Sequence, residues 1–156
     1  MNMNRRQLLK SAGSSSLLAV LMGAGLLRPG FAFAADWNQA AFGASDLAGT
    51  LKAIGATDAA PSTEVVLTAP DIAENGAVVP VSISSKLPNT QSISVIVERN
   101  PNPLAASFEI PAGTEAGITT RVKMGQTSNL IALVKADGKY YSASKEVKVT
   151  LGGCGG

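Results

Sequence analysis

The chain has 156 residues, of which 13 are lysine or arginine and 11 are aspartate or glutamate, and its formal net charge is +2. Hydrophobic residues make up 46% of it, and it contains one cysteine and no histidine. This composition excludes a Cys–His dyad and any histidine-ligated zinc, copper or haem site within the chain. It also excludes an internal disulfide.

The first 34 residues have the pattern of an export signal. Arg5 and Arg6 stand in a motif that is similar to a twin-arginine signal, and an apolar run follows at 17–27. That run is shorter than the ~20 apolar residues that span a bilayer. Small residues predict cleavage after Ala34, the alternative being an uncleaved anchor. We therefore expect a signal peptide at 1–34 and a periplasmic protein that has no membrane association after cleavage.

Cleavage changes the charge of the chain. It removes Arg5, Arg6, Lys10 and Arg28, which leaves nine basic residues against all 11 acidic ones and a net charge of −2. The basic character of the whole chain thus belongs to the signal, and the composition gives no support for nucleic-acid binding. The remaining length is sufficient for one domain with its own core.

A helical segment is expected at 35–60. A cap at Ser45, apolar residues at helical spacing and a terminal Gly55 predict a short amphipathic helix over 45–55. Trp37, Ala41 and Phe42 favour a further turn upstream.

The apolar side chains of this segment can pack in two ways. We interpret them as core of the domain itself, the alternative being that the helix packs on a partner chain. The proline-containing sequence at 59–62 is interpreted as a linker. The side chains in question are Trp37, Leu47, Leu51 and Ile54.

From 61 to 151 the hydrophobic period becomes two, which is typical of β-strands. About seven short strands predict an all-β fold, an immunoglobulin-like antiparallel β-sandwich. The run at 130–134 is apolar on both faces and is predicted to be a central strand. The predicted strands lie at 64–68, 79–84, 92–98, 106–110, 118–122, 130–134 and, as one strand or a pair, 139–151.

Turn residues separate these strands. The dipeptides Asn75-Gly76 and Asp137-Gly138 predict tight turns. Pro80 indicates a strand start or an edge position, because proline cannot donate to a β-ladder.

The last strand leads directly into a glycine-rich sequence at 152–156. Because glycine has no Cβ and loses much backbone entropy when ordered, we expect a flexible arm with one thiol, that of Cys154. The distance from Leu151 to Cys154 is at most about 10 Å. Such an arm is thin enough to enter a narrow channel in another protein. Its glycines are Gly152, Gly153, Gly155 and Gly156.

The other polar residues predict no catalytic centre, metal site or cofactor site. A single cysteine in an exported protein is free, bonded to another chain or covalently loaded. The carboxylates are scattered and are interpreted as solvated surface rather than as a catalytic pair. Chemistry on a loaded thiol would therefore be done by other proteins. The carboxylates are, for example, Asp71, Glu74, Glu98, Glu109 and Glu115.

These features together resemble the SoxY family, the carrier subunits of bacterial thiosulfate oxidation. The resemblance covers nearly the whole chain: the twin-arginine motif, the Trp/Phe helical segment, the sequence at 70–81 and, most specifically, Gly-Gly-Cys-Gly-Gly. It implies an immunoglobulin-like sandwich and a heterodimer with a SoxZ-like subunit. The attachment cysteine of the family corresponds to Cys154, and its glycine flanks correspond to those at 152–156.

The resemblance also implies a periplasmic carrier that is not an enzyme and needs no cofactor. In the family, the haem enzyme SoxAX joins thiosulfate oxidatively to the cysteine as an S-thiosulfonate. The manganese hydrolase SoxB releases the terminal sulfonate as sulfate. A sulfane dehydrogenase, where the host has one, oxidises the remaining persulfide sulfur. The haem and the metal belong to these partners.

Three other functions fit parts of the tail. Gly155-Gly156 resembles the end of ubiquitin-like sulfur carriers, although the export signal and Cys154 argue against that group. A structural protein would use Cys154 only for an interchain disulfide. A prenylation signal requires cysteine fourth from the end, whereas Cys154 is third. Intact-mass analysis before and after a thiol reductant distinguishes a sulfur adduct on Cys154, an adduct on Gly156 and a disulfide dimer.

Overall fold

The structure, a computed structural model, describes residues 37–150. The predicted signal peptide at 1–34, with Arg5 and Arg6, lies outside the described residues. So do Cys154 and its glycine flanks, Gly152, Gly153, Gly155 and Gly156. Within 37–150, no helix has the length and hydropathy needed to cross a membrane.

Two helices precede nine strands in the described part of the chain. Seven strands have four or more residues, as the hydrophobic pattern predicts, and the other two have two residues each. The helices are α1 (Gln39–Phe42) and α2 (Leu47–Ile54). The strands are β1 (Ala60–Pro61), β2 (Val65–Thr68), β3 (Ile72–Ala73), β4 (Val79–Ser85), β5 (Thr90–Val97), β6 (Leu104–Glu109), β7 (Gly117–Val122), β8 (Ser128–Ala136) and β9 (Lys139–Val149).

The strands form two sheets. The larger has the order β1-β9-β8-β5-β6, and β3 also pairs with β9; the smaller has the order β2-β4-β7. All pairings are antiparallel except those of β1 and β3 with β9. The prediction of an immunoglobulin-like sandwich with a short N-terminal helical segment is confirmed. The predicted central strand is β8, which lies between β9 and β5.

The main core lies between the two sheets. Alternate residues of β4 in the small sheet and of β5 and β8 in the large sheet point into it, and most are fully buried. The hydrophobic period of two in the sequence thus corresponds to the side chains that point towards the core, because successive side chains of a strand lie on opposite faces of the sheet. The residues from these three strands are Val79, Val81, Ile83, Ile93, Val95, Val97, Leu130, Ala132 and Val134.

Both predicted tight turns are present. Asp137 (φ 48°) and Gly138 (φ 74°) both have positive φ and close the hairpin between β8 and β9, as a type I′ turn requires. The N–H of Val78 donates to the carbonyl oxygen of Asn75 at 3.3 Å. That second turn does not close a hairpin, because it carries the chain from β3 in the large sheet to β4 in the small one.

The proline of β4 lies near the start of the strand, before the pairing of β4 with β2 begins. Pro80 is the second residue of the strand and pairs with Arg121 of β7. On the other side, β2 pairs with β4 only from Ser82 onwards. The predicted strand start is therefore confirmed.

The N-cap of helix α2 is one residue later than predicted. The carboxylate of Asp46, not the hydroxyl of Ser45, accepts the N–H of Gly49 at 2.6 Å. An aspartate and a serine are equally good caps, so the sequence alone does not choose between them. Gly55 ends the helix with φ 81°, as predicted.

The helices cover part of the outer face of the large sheet. Ile96 and Leu133, which point away from the main core, are buried beneath them, and the hydroxyl of Tyr140 donates to the carbonyl oxygen of Ile54 at 3.0 Å. The interpretation of the helical side chains as core of the same domain is confirmed for Leu47, Leu51 and Ile54.

Two expectations for the N-terminal segment were wrong. Trp37 is not core, because 68% of its surface is exposed. The sequence at 59–62 is not simply a linker, because β1 lies within it and pairs with Tyr141 and Ser142 of β9. A two-residue strand has no hydrophobic period, so only its long-range partner reveals it.

Candidate functional site: the root of the cysteine-bearing segment

The predicted attachment residue is reached through β9. This strand ends at Val149, and Thr150 is the last described residue. Cys154 follows four residues later in the sequence. The root of the cysteine-bearing segment is thus the C-terminal end of β9 and the residues that hold it.

On one side, β3 holds the root. The N–H of Lys148 donates to the carbonyl oxygen of Asp71 at 2.9 Å, and the N–H of Thr150 donates to that of Ala73 at 3.1 Å. Both bonds belong to a parallel pairing that begins only at the end of β9. The last described residue is therefore still bonded to the sandwich.

On the other side, β8 and the loop before it hold the root. Val147 pairs with Ser128, the first residue of β8. The next backbone donor on the β8 side, the N–H of Val149, lies beyond the first residue of β8 and donates instead to the hydroxyl of Thr127 at 3.0 Å. A side chain thus continues the ladder where β8 has not yet begun.

A close approach beneath the root requires glycine. A Cβ on Gly76 would overlap the carbonyl oxygen of Met124 and lie 2.8 Å from a methyl carbon of Val149. The N–H of Met124 also donates to the carbonyl oxygen of Gly76 at 2.7 Å. The turn that contains Gly76 therefore packs directly against the strand that leads to Cys154.

An ion pair joins the β3 segment to β9. The ammonium of Lys145 lies 3.0 Å from a carboxylate oxygen of Asp71 and also donates to the carbonyl oxygen of Ala69. Since Asp71 is 90% exposed, the ion pair itself contributes little, about 0–1 kcal/mol. Together with the backbone bonds, it holds the segment before β3 against β9.

Three loops surround this end of the sandwich, and we call them the root loops. They are residues 74–78 between β3 and β4, residues 98–103 between β5 and β6, and residues 123–127 between β7 and β8. The first loop lies at the end where β9 finishes because β3 runs parallel to β9. The other two lie at the same end because β4 and β7, β5 and β6, and β8 with both β5 and β9 are antiparallel.

Side chains join the second and third root loops. The amide nitrogen of Asn100 donates to the carbonyl oxygen of Lys123 at 2.7 Å, and its amide oxygen accepts the N–H of Gly125 at 3.2 Å. The amide of Gln126 donates to the carbonyl oxygen of Arg99 at 3.2 Å. A cavity of about 460 Å³ lies between the loops and is lined by Asn100, Pro101, Asn102, Lys123 and Gly125.

The carboxylates lie at the surface and are spread over both ends of the sandwich. Glu98, half-buried, accepts the side-chain amide of Asn129 at 2.8 Å, and the others named from the sequence are exposed. Among residues 37–150, no three Asp, Glu, His or Cys side chains are grouped closely enough to hold a metal. The exposed carboxylates are Asp71, Glu74, Glu109 and Glu115.

Sequence reasoning identified the cysteine-bearing segment but not the residues that hold its root. Asn75-Gly76 gave a turn signal, yet the contact of Gly76 with Met124 and Val149 depends on residues far along the chain. The hydroxyl of Thr127 gave no signal in the sequence, because its partner, the N–H of Val149, lies 22 residues along the chain and is brought beside it only by the fold.

A family model described as "Sulfur oxidation protein SoxY" matches residues 51–154. The match covers more than half of the chain and extends as far as Cys154. The chain belongs to the SoxY family.

A solved SoxY structure supports this assignment. The sulfur carrier protein SoxY from Chlorobium limicola f thiosulfatophilum is 38% identical, with a TM-score of 0.62; the match covers 72% of this chain and 99% of that one. A superoxide reductase (neelaredoxin) from Ignicoccus hospitalis matches at 21% identity and a TM-score of 0.50, over 55% of this chain and 80% of that one. At that identity, the likeness concerns the fold alone. No curated protein matches the chain.

Proposed function

We propose that this SoxY-family chain is a periplasmic carrier that holds thiosulfate-derived sulfur on Cys154 and presents it to partner enzymes. The observation that carries the proposal is the family match, which includes Cys154, the one cysteine of the chain. The similarity to a sulfur carrier protein of known structure supports the same role. In this role the chain supplies a nucleophile and no catalytic centre.

The loading step is an oxidation. The thiol of Cys154 loses its proton, and a sulfur–sulfur bond forms between its sulfur and the terminal sulfur of thiosulfate. Two electrons leave, and the product is an S-thiosulfonate with one negative charge. A c-type haem partner of the SoxAX kind accepts the electrons, since the chain has no histidine that would ligate a haem of its own.

The unloading steps are performed by hydrolases and a redox enzyme. Water breaks the bond between the sulfane sulfur and the sulfonate, which releases sulfate and leaves a persulfide on Cys154. A SoxB-like hydrolase performs this step, and a sulfane dehydrogenase, where present, oxidises the persulfide sulfur before a second hydrolysis. Persulfidation is reversible, which suits a thiol that must be regenerated.

The proposed arm gives these enzymes access to the sulfur. From Thr150, the last residue bonded to the sandwich, Cys154 can be at most about 14 Å away. Gly152, Gly153, Gly155 and Gly156 put no side chain beside the sulfur, so the segment is narrow as well as short. A SoxZ-like subunit, which membership of the family implies, is the proposed heterodimer partner.

The test is Cys154→Ser in the reconstituted thiosulfate-oxidising system. We expect thiosulfate-dependent turnover to be lost, and the mass increase of the chain after loading to disappear, while the unfolding transition is unchanged. The wild-type chain with and without a thiol reductant is the control, because a reductant should remove the adduct. Turnover that persists in Cys154→Ser would contradict the carrier role, and a mass that shows only a disulfide dimer would favour a structural one.

A further inference from the structure

The sequence distance between Thr150 and Cys154 limits where an enzyme can meet this chain. Four residues span at most about 14 Å, and Thr150 itself is bonded to Ala73. An enzyme that holds its reacting groups at the bottom of a channel uses part of this length inside the channel. The surface around the channel mouth must therefore touch the end of the sandwich from which β9 emerges.

We infer that the three root loops, together with Ile72 of β3, form the docking surface for the enzymes that process the cargo of Cys154. The inference rests on the proposed function, because it assumes that an enzyme must reach this cysteine. The occupant is the rim of a channel in such an enzyme, and one surface serves all of them in turn.

The docking surface is held in place before any partner arrives. Gly76 is bonded to Met124, the amide of Asn100 bridges two loops, and Thr127 is bonded to the root strand itself. Ordered loops lose little conformational entropy on binding, which leaves more of the interaction energy for affinity. The bond to Thr127 also holds the end of β9 against the third root loop.

The surface has exposed apolar side chains on one side of β9 and two exposed cations on the other. Ile72 in β3 is 57% exposed and Val78 in the first root loop is 51% exposed, two of four large hydrophobic side chains exposed in residues 37–150. Across β9, Arg99 and Lys123 are exposed on the other two root loops, and neither takes part in the one salt bridge of the described residues. The carboxylates of the surface are Glu74, which is exposed, and Glu98, which is half-buried and accepts the side-chain amide of Asn129.

The exposed apolar and charged side chains of the docking surface suit an enzyme that binds the carrier only briefly. Contacts below about 1,200 Å² are typical of transient encounters, and a carrier must leave each enzyme after one step. Exposed apolar side chains give such a contact its affinity. Cations at its edge raise the association rate towards a channel mouth that bears carboxylates, and this contribution weakens as salt rises.

The test is the double variant Arg99→Glu/Lys123→Glu, with SoxAX as the enzyme and thiosulfate as the substrate. Loading is followed by intact mass as a function of carrier concentration. We expect KM for the carrier to rise about tenfold or more, which corresponds to at least about 1.4 kcal/mol of binding. We expect kcat to change less than twofold, because the sulfur and its immediate neighbours are untouched.

Matched controls lie elsewhere on the sandwich. Lys86→Glu/Lys139→Glu makes the same change of charge at the opposite end, where β4 finishes and β9 begins. Val66→Ser, in β2 of the small sheet, is matched with Val78→Ser in the root loop. We expect KM to rise in Val78→Ser and to stay within twofold of the wild type in both controls.

The outcomes separate this inference from the function on which it rests. Unchanged KM in the root-loop variants, or an equal rise in the opposite-end control, would overturn the docking surface and leave the carrier role intact. A wild-type chain that takes up no thiosulfate sulfur on Cys154 would overturn both. The alkylation rate of Cys154 with a small reagent should be equal in all variants, and a slower rate in the root-loop variants would also count against docking, since it would indicate altered thiol reactivity.

Discussion

At the scale of single residues, Gly76 is the glycine within residues 37–150 where a Cβ would have the least room. We predict that Gly76→Ala lowers the free energy of unfolding by about 1–3 kcal/mol, because the new Cβ would press on the carbonyl of Met124 and a methyl of Val149. Urea denaturation measures the change. Gly125→Ala is the matched control: it lies in a neighbouring root loop with open space around its Cβ position, and we expect a change within about 0.5 kcal/mol. Equal effects in the two variants would contradict the close packing.

The role of a residue could be predicted from the sequence where its side chain has a distinctive chemistry. It could not be predicted where the role depends on a contact with residues far along the chain. The lone Cys154 between glycines could be identified from the sequence as a site of thiol chemistry, and the resemblance to the SoxY family implied that this thiol carries a cargo. Gly76 and Thr127 stabilise the root only through partners that the fold brings to them. A glycine or a threonine in a loop does not by itself indicate such a contact.

At the scale of elements, the two helices and the large sheet form a second, smaller core. Leu133 of β8 is 1% exposed because the helices cover it. We predict that Leu133→Ala costs about 2–4 kcal/mol in a single urea transition, since it removes a buried side chain from the contact between helices and sheet. Val66→Ala, at an outer position of the small sheet, should cost less than about 0.5 kcal/mol.

A different result would separate the helices from the sandwich. Two unfolding transitions, with Leu133→Ala affecting only the weaker one, would show that the helical segment unfolds on its own. A single transition is expected because residues from Asn38 onwards belong to one compact unit.

Helices and strands could be predicted from the sequence where the hydrophobic period extends over several residues. The alternation in β5 predicted the inward-facing Ile93, Val95 and Val97, but not the burial of Ile96 on the opposite face. Ile96 is buried because a helix from another part of the chain covers it. The two-residue strands β1 and β3 were missed for a related reason: each is defined only by its parallel pairing with β9.

At the scale of the whole molecule, the turn signals predicted a sandwich but not the order of its strands. Asp137-Gly138 joins neighbours in one sheet, whereas Asn75-Gly76 crosses from one sheet to the other. Both dipeptides favour the same local conformation. Whether the turn joins strands of one sheet or of two therefore depends on which faces the flanking strands bury. That choice brings β3 beside the end of β9 and assembles the root loops around it.

Export of the whole molecule depends on the predicted twin-arginine signal. We predict that Arg5→Lys/Arg6→Lys leaves the precursor in the cytoplasm, because the paired arginines are what the twin-arginine receptor reads. Arg28→Lys is the matched control, since it keeps the charge and leaves the pair intact. Cell fractionation with detection of precursor and cleaved chain measures the outcome.

Because substrates of the twin-arginine route cross the membrane folded, a SoxZ-like subunit without a signal of its own would travel with this chain as a complex. We therefore expect the periplasmic amount of that subunit to fall together with that of the Arg5→Lys/Arg6→Lys variant and to be restored by the wild-type chain. Equal periplasmic amounts of the subunit with and without this chain would contradict joint export. Cleaved, periplasmic Arg5→Lys/Arg6→Lys chain would instead show that another route reads the signal.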